Sequence, residues 1–193
     1  MSTLTKTALF SLSDYYLMID AGILENRKVE LIKGEIVEMS PSGNLHYLTI
    51  GRIAALFIPL TAKHGLIGYQ QSGLAIPELD SEPEPDFYLI SQTILDGEVK
   101  AEPEQAFLVV EVADSSLRKD RMVKLPLYAR AGIAEFWIVN LAEDCIEVYR
   151  VPDRAAGAYG DQKSYRRGDR FALLAFPDFE VAADAVLPRS PQA

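Results

Sequence analysis

Apolar residues recur along this chain at two spacings, one helical and one strand-like, and their order outlines a fold. Near the start, Ser13 can cap a short helix carrying Tyr15, Tyr16, Leu17, Ile19 and Ala21, and Gly22 can stop it. Two short strand-like runs follow: Val29, Leu31 and Ile32, then Ile36, Val37 and Met39. Gly34 lies between them, as at a hairpin turn. The run Ser40, Pro41, Ser42, Gly43 breaks the chain. From Asn44 to about Lys63, the residues Leu48, Ile50, Ile53, Ala54, Leu56, Phe57 and Leu60 return at helical spacing, and Pro59 is expected to kink or shorten that helix.

Residues 65–76 read as a strand and 77–85 as an acidic, proline-rich loop. Phe87, Tyr88, Leu89 and Ile90 form the next strand, and a hydrophilic stretch occupies 91–105. Phe107, Leu108, Val109 and Val110 make a continuous apolar run that suits a strand buried on both faces, and Glu111 and Val112 continue it. Residues 117–131 read as a helix ended by Gly132. Strands follow at 136–139 and 145–151, joined by a turn at 140–144. Residues 153–168 read as a loop and 171–181 as edge strands, and the tail after Leu187 reads as frayed. Strand, helix, strand over 107–139 is a crossover unit, which predicts two parallel strands and a right-handed connection. The expected architecture is α/β, a mixed β-sheet flanked by helices. The length suits one domain over residues 1–193, with a core at about 13–150 and a C-terminal extension at 151–193.

Composition narrows the class. An apolar share of 49% is ordinary for a folded globular chain. No apolar stretch reaches the ~20 residues needed to span a bilayer, and residues 1–12 lack the pattern of a secretory signal. Cys145 is the single cysteine, so neither an internal disulfide nor a cysteine-based zinc cluster can form. That fits a reducing, cytoplasmic setting, with Cys145 as a small buried hydrophobe in a strand. The net charge of −9 counts against a polyanionic partner. Yet basic residues gather at Arg118, Lys119, Arg121, Lys124 and Arg130, and again at Lys163, Arg166, Arg167 and Arg170. A carboxylate site also becomes less negative once it holds a cation. Both clusters equally suit a solvated surface.

The chemistry concentrates in Asp86, Glu111 and Lys124. Each acid lies at the edge of an apolar run, where desolvating a charge is costly unless it is paired or holds a metal. Hydrolysis of a phosphodiester needs a nucleophilic water and relief of charge at the phosphoryl oxygens. Mg²⁺ prefers oxygen ligands, keeps several waters and is usually held by one or two carboxylates. A nearby lysine can orient the water or neutralise developing charge. Asp120, Lys124 and Tyr128 are spaced four apart and so share a helical face, with Pro126 as a complication within that helix. Each residue has a plainer role available: Asp86 as a turn residue, Glu111 in a structural ion pair with Lys124, Lys124 on the surface.

The ordered set Pro85-Asp86, Val109-Val110-Glu111-Val112, Asp120, Lys124, Tyr128, Gly132, Glu135 and Trp137 is similar to the Uma-two family, restriction-endonuclease-like proteins of the PD-(D/E)XK nuclease superfamily. The earlier segment from Glu30 to Val37, with Ser40-Pro41-Ser42 and His46, is similar too. The resemblance runs from about Ser13 to Arg150. It implies a restriction-endonuclease-like mixed sheet flanked by helices, and Mg²⁺ or Mn²⁺ at Asp86 and Glu111. The main-chain carbonyl of Val112 would be a further ligand by analogy. The position two after Glu111 is Ala113 where the superfamily has its lysine; the resemblance places that lysine on the following helix, at Lys124.

Glu30 and His46 are secondary candidates. Glu30 could bind a second cation or steer a ligand water, or be an exposed hairpin carboxylate. His46 could touch phosphate or shuttle a proton, or make a local bond at a helix terminus. Asp114, Ser115 and Ser116 read as helix-capping residues, and Trp137 and Tyr128 as core packing. The expected activity is a metal-dependent endonuclease acting on DNA, as a homodimer and without a membrane partner. A non-catalytic module of the same fold and a hydrolase of small phosphodiesters are the alternatives.

Overall fold

The apolar run at 107–110 becomes a central strand of a six-stranded sheet. The computed structural model describes residues 7–39, 41–91 and 103–189. The sheet order is β3 (Leu66–Gln70), β4 (Phe87–Ser91), β5 (Ala106–Ala113), β6 (Glu135–Asn140), β7 (Cys145–Asp153) and β8 (Ala158–Arg166). Strands β5 and β6 are parallel, with Val109 opposite Phe136 and Ala113 opposite Asn140. The other neighbours pair antiparallel, so the sheet is mixed. The parallel pair follows from the helical crossover between its strands.

Alternation along β5 divides the core between the two faces of the sheet. Leu108, Val110 and Val112 join α2 (Asn44–His64), which contributes Ile50, Ile53, Phe57 and Leu60. Val109 and Ala113 face the other way, toward Leu127, Tyr128 and Ala131 of α4 (Leu125–Ala131). Glu111 shares their parity, so it points to the α4 face. Residues beyond 150 belong to the same core, because Phe171, Leu173, Val181, Val186 and Leu187 pack in the α2 cluster. A smaller cluster joins Leu12 and Tyr15 of α1 (Leu12–Asp20) to Val29 and Leu31 of β1 (Val29–Ile32). β1 pairs with β2 (Glu35–Glu38) in the expected hairpin.

Several elements differ from the sequence reading. Ser11, not Ser13, caps α1, because Ser11 and Asp14 form a reciprocal capping box. The strand expected over 65–76 ends at Gln70. Gln71 then takes a positive φ of 45°, and Leu74, Ala75 and Ile76 are buried without being part of a named strand. α2 continues through Pro59 to His64 and closes on Gly65 in the left-handed region. By length and composition α2 could cross a bilayer, although Ile50, Ile53, Phe57 and Leu60 pack it on the sheet. Residues 153–168 are mostly strand rather than loop. β8 is an edge strand whose residues are mostly exposed and none fully buried, so it shows no continuous apolar signature. β9 (Arg170–Ala172) and β10 (Glu180–Ala182) form a separate two-stranded sheet, and α5 (Ala183–Val186) follows. Cys145 is buried in β7. Most of the hydrophilic stretch at 91–105, at residues 92–102, lies outside the described residues, as does the tail from 190 onward.

Candidate active site

Antiparallel pairing of β4 and β5 sets Phe87 opposite Val110, which brings Asp86, just before β4, beside the C-terminal half of β5. There the Val112 N–H donates to Asp86 Oδ2 at 2.8 Å, and His46 Nε2, from the first turn of α2, meets the same oxygen at 3.0 Å. One residue back along β5, Glu111 turns its side chain to the opposite face. Its Oε1 accepts from Lys124 Nζ at 3.0 Å and from the Tyr128 hydroxyl at 2.6 Å.

Lys124 reaches inward because the helix after β5 is not regular. α3 (Leu117–Lys119) gives way to a π-helical turn, Asp120–Lys124, before α4. The Leu125 N–H bonds the Asp120 carbonyl five residues back. Pro126 has no N–H to return to Met122, and its ring crowds that carbonyl, so the turn just upstream is wide. The wide turn carries Asp120 and Lys124 into the interior, where both are buried. Ser116 Oγ donates to Asp120 Oδ2 at 2.6 Å.

Glu30 completes the charge network from β1. It is fully buried, and its Oε2 lies 2.7 Å from Lys124 Nζ. Its Oε1 accepts from Lys119, and the Glu84 N–H also donates to Oε2 at 3.2 Å. Glu30 is thus neither an exposed hairpin carboxylate nor a free ligand; it holds two ammonium groups. Burial alone would raise its pKa, but Lys124 and Lys119 outweigh burial and hold it below the ordinary value. Burial likewise disfavours the Lys124 ammonium, but Glu111 and Glu30 more than offset this, so its pKa rises and the charge is fixed. Glu111 goes the other way. Desolvation pushes it up to about 8 despite Lys124, and Asp86 and Asp120 push in the same direction. Burial also pushes Asp120 up to about 6, against Ser116 and Lys124.

A recess of about 100 Å³ opens among these groups, lined by Glu30, His46, Asp86, Glu111, Val112, Asp120 and Lys124. Six acids, Glu30, Glu84, Asp86, Glu111, Asp114 and Asp120, line it against Lys119 and Lys124, an excess of acidic groups that favours a cation. The described hydrogen bonds of Asp86 fall on Oδ2 and those of Glu111 on Oε1. On these two acids, Asp86 Oδ1 and Glu111 Oε2 are therefore the oxygens that could meet an ion without breaking one. Among the described residues, no three His, Cys, Asp or Glu side chains are arranged to hold a metal. The donor set is two carboxylates with main chain and water, which suits Mg²⁺ or Mn²⁺ and not a closed zinc site.

The structure therefore gathers Asp86, Glu111, Val112, Lys124, Glu30 and His46 around one recess. It also adds residues that the sequence reading placed elsewhere. Tyr128 is buried in the core as expected, yet its hydroxyl bonds Glu111. Ser116 makes no side-chain helix cap and instead bonds Asp120. Asp114, Ser115 and Lys119 line the recess. The four-residue spacing of Asp120 and Tyr128 about Lys124 was the available signal; Lys119 carried none.

A mixed six-stranded sheet with helices on both faces is a restriction-endonuclease-like fold. The chain belongs to the Uma2 family, whose model, described as "Putative restriction endonuclease", matches residues 12–185. Among solved structures it is similar to one from Anabaena variabilis ATCC 29413, described as "a putative nuclease belonging to DUF820". The TM-score is 0.69 and the identity 11%, over 92% of this chain and 97% of the other. That likeness is one of fold. No curated protein matches the chain.

Proposed function

We propose that this chain is a Mg²⁺- or Mn²⁺-dependent endonuclease that hydrolyses phosphodiester bonds in DNA, working as a homodimer. The observation that carries this reading is Glu111, a buried carboxyl with a raised pKa that shares its recess with Asp86 and with a fixed lysine charge. Catalysis needs shifted pKa values, and perturbed acids in a cleft are candidates for that role. Asp86 and Glu111 would hold the cation, with the Val112 carbonyl as a further ligand. When bound, the ion would acidify a water and polarise the scissile phosphoryl group. Lys124 orients the attacking water or offsets charge that develops on the phosphoryl oxygens. Glu30 and Tyr128 hold Lys124 and Glu111 in place, and Lys119, one-third exposed at the mouth, offers a cation to an incoming phosphate.

The test is cleavage of plasmid and linear DNA with and without Mg²⁺ or Mn²⁺. Wild type is expected to cut only with the cation, and Asp86→Ala or Glu111→Ala to abolish cutting while keeping the circular dichroism of the folded state. Unchanged cutting by either variant would remove the site assignment. One observation favours a non-catalytic module: Lys124 is already satisfied by Glu30 and Glu111. Calorimetry separates the two readings, because a purely structural ion-pair network gives no saturable heat with Mn²⁺.

A further inference from the structure

Asp86 Oδ2 receives donors from two distant parts of the chain, Val112 N at 2.8 Å and His46 Nε2 at 3.0 Å. A carboxylate oxygen only accepts, so His46 Nε2 must carry the hydrogen. The other ring nitrogen, Nδ1, is buried and has no hydrogen-bond partner among the described residues. The side chain is only 10% exposed, and its polar contact runs through Nε2 to Asp86. Its backbone belongs to α2, which Ile50, Ile53, Phe57 and Leu60 fix against the sheet. A donor mounted on a packed helix holds its acceptor more tightly than one on a loop. Without it, Asp86 would keep one described donor, and the terminal torsion of aspartate is soft. Either oxygen could then turn toward the recess.

We propose that His46 is a positioning residue acting through Asp86. Together with the Val112 N–H it holds Oδ2, so that Oδ1 is the oxygen presented to the cation, while His46 itself touches neither metal nor phosphate. This role rests on the metal-dependent reading above. It differs from proton transfer, which would need the ring to exchange its hydrogen, and from phosphate contact, which would need Nε2 free.

Glutamine sets its amide nitrogen near the position of histidine Nε2, and asparagine sets it near Nδ1, so the two substitutions separate the ring atoms. Mn²⁺ is titrated calorimetrically into wild type, His46→Gln, His46→Asn and His46→Ala, with thermal melting as a check on folding. His46→Ala and His46→Asn are expected to lose roughly ten- to a hundredfold in Mn²⁺ affinity, with His46→Gln close to wild type. Rescue by asparagine rather than glutamine, or full affinity in the alanine variant, would overturn the proposal. Nitrogen-15 spectra of the histidine rings in the metal-free wild type supply a readout independent of metal and of variant folding. The Nε2–H tautomer is expected at His46, shifted by Asp86→Ala; the Nδ1–H tautomer would overturn the role of His46 alone. Absence of saturable Mn²⁺ binding by wild type, with the Nε2–H tautomer present, would instead overturn the metal-dependent reading and leave His46 a structural partner of Asp86.

Discussion

Glu30 shows how far one side chain can depart from its sequence context. On a hairpin it reads as a surface carboxylate, yet it is fully buried and binds two lysines. Removing one partner of a buried ion pair leaves an uncompensated charge, which typically costs 3–5 kcal/mol. Glu30→Gln keeps the shape and one acceptor but takes away the charge that Lys124 faces. The expected loss is about 3 kcal/mol in urea unfolding, and a loss under ~1 kcal/mol, the scale of an exposed pair, would show that Lys124 does not depend on it. Asp86 and Glu111 were legible because an acid at the edge of an apolar run is anomalous in one dimension, and Lys124 through its helical spacing with Asp120 and Tyr128 and the family resemblance. Lys119 was not, because a lysine in a basic run looks like solvated surface until Glu30, distant in sequence, arrives beside it. The partner of His46 was hidden for the same reason.

At the scale of elements, periodicity located the long helix, the hairpin and the parallel pair, since each has a strong local signature. It missed features whose cause is tertiary. β8 is polar because its faces are largely exposed, and its strand form comes from pairing with β7. The π-helical turn was foreshadowed only by Pro126, which the sequence presents as a defect in a helix. In the structure that defect widens Asp120–Lys124 and turns two charged residues inward. Pro126→Ala restores the missing N–H and lets this stretch tighten toward α-helix. The expected outcome is an unchanged or higher melting midpoint, because a helix interior prefers alanine to proline. Cation-dependent cleavage is expected to fall by roughly ten- to a hundredfold, as small displacements of a reacting group do. Parallel loss of stability and cleavage would mean that the proline serves packing and not the placement of Lys124.

Across the whole molecule the charge balance and the site are linked through protons. Glu111, raised to about 8, and Asp120, raised to about 6, keep protons that the unfolded chain gives up near 4. Their contribution to stability is therefore full at acid pH and is lost as pH rises through the folded values. Glu30 and Glu147 are lowered, burial being outweighed by Lys124 and Lys119 for one and by Arg121, Tyr149 and Asn140 for the other. Their contribution is full above the ordinary carboxylate range and is lost on acidification. Metal-free stability should accordingly peak in mildly acid solution and decline toward pH 8. A divalent cation replaces the proton on Glu111, so added Mn²⁺ should raise the melting midpoint more at pH 8 than at pH 6. Melting curves at pH 5.5, 7 and 8.5, with and without Mn²⁺, test both statements. Metal-free stability that climbs steadily to pH 8.5 would mean that Glu111 is ionised at rest, held by Lys124 and Tyr128. The same exchange bears on how a chain of net charge −9 could approach DNA. An ion held by Asp86 and Glu111 adds two positive charges and displaces the proton of Glu111, leaving the site more positive, so DNA affinity should rise with cation concentration and rise more steeply at pH 8 than at pH 6.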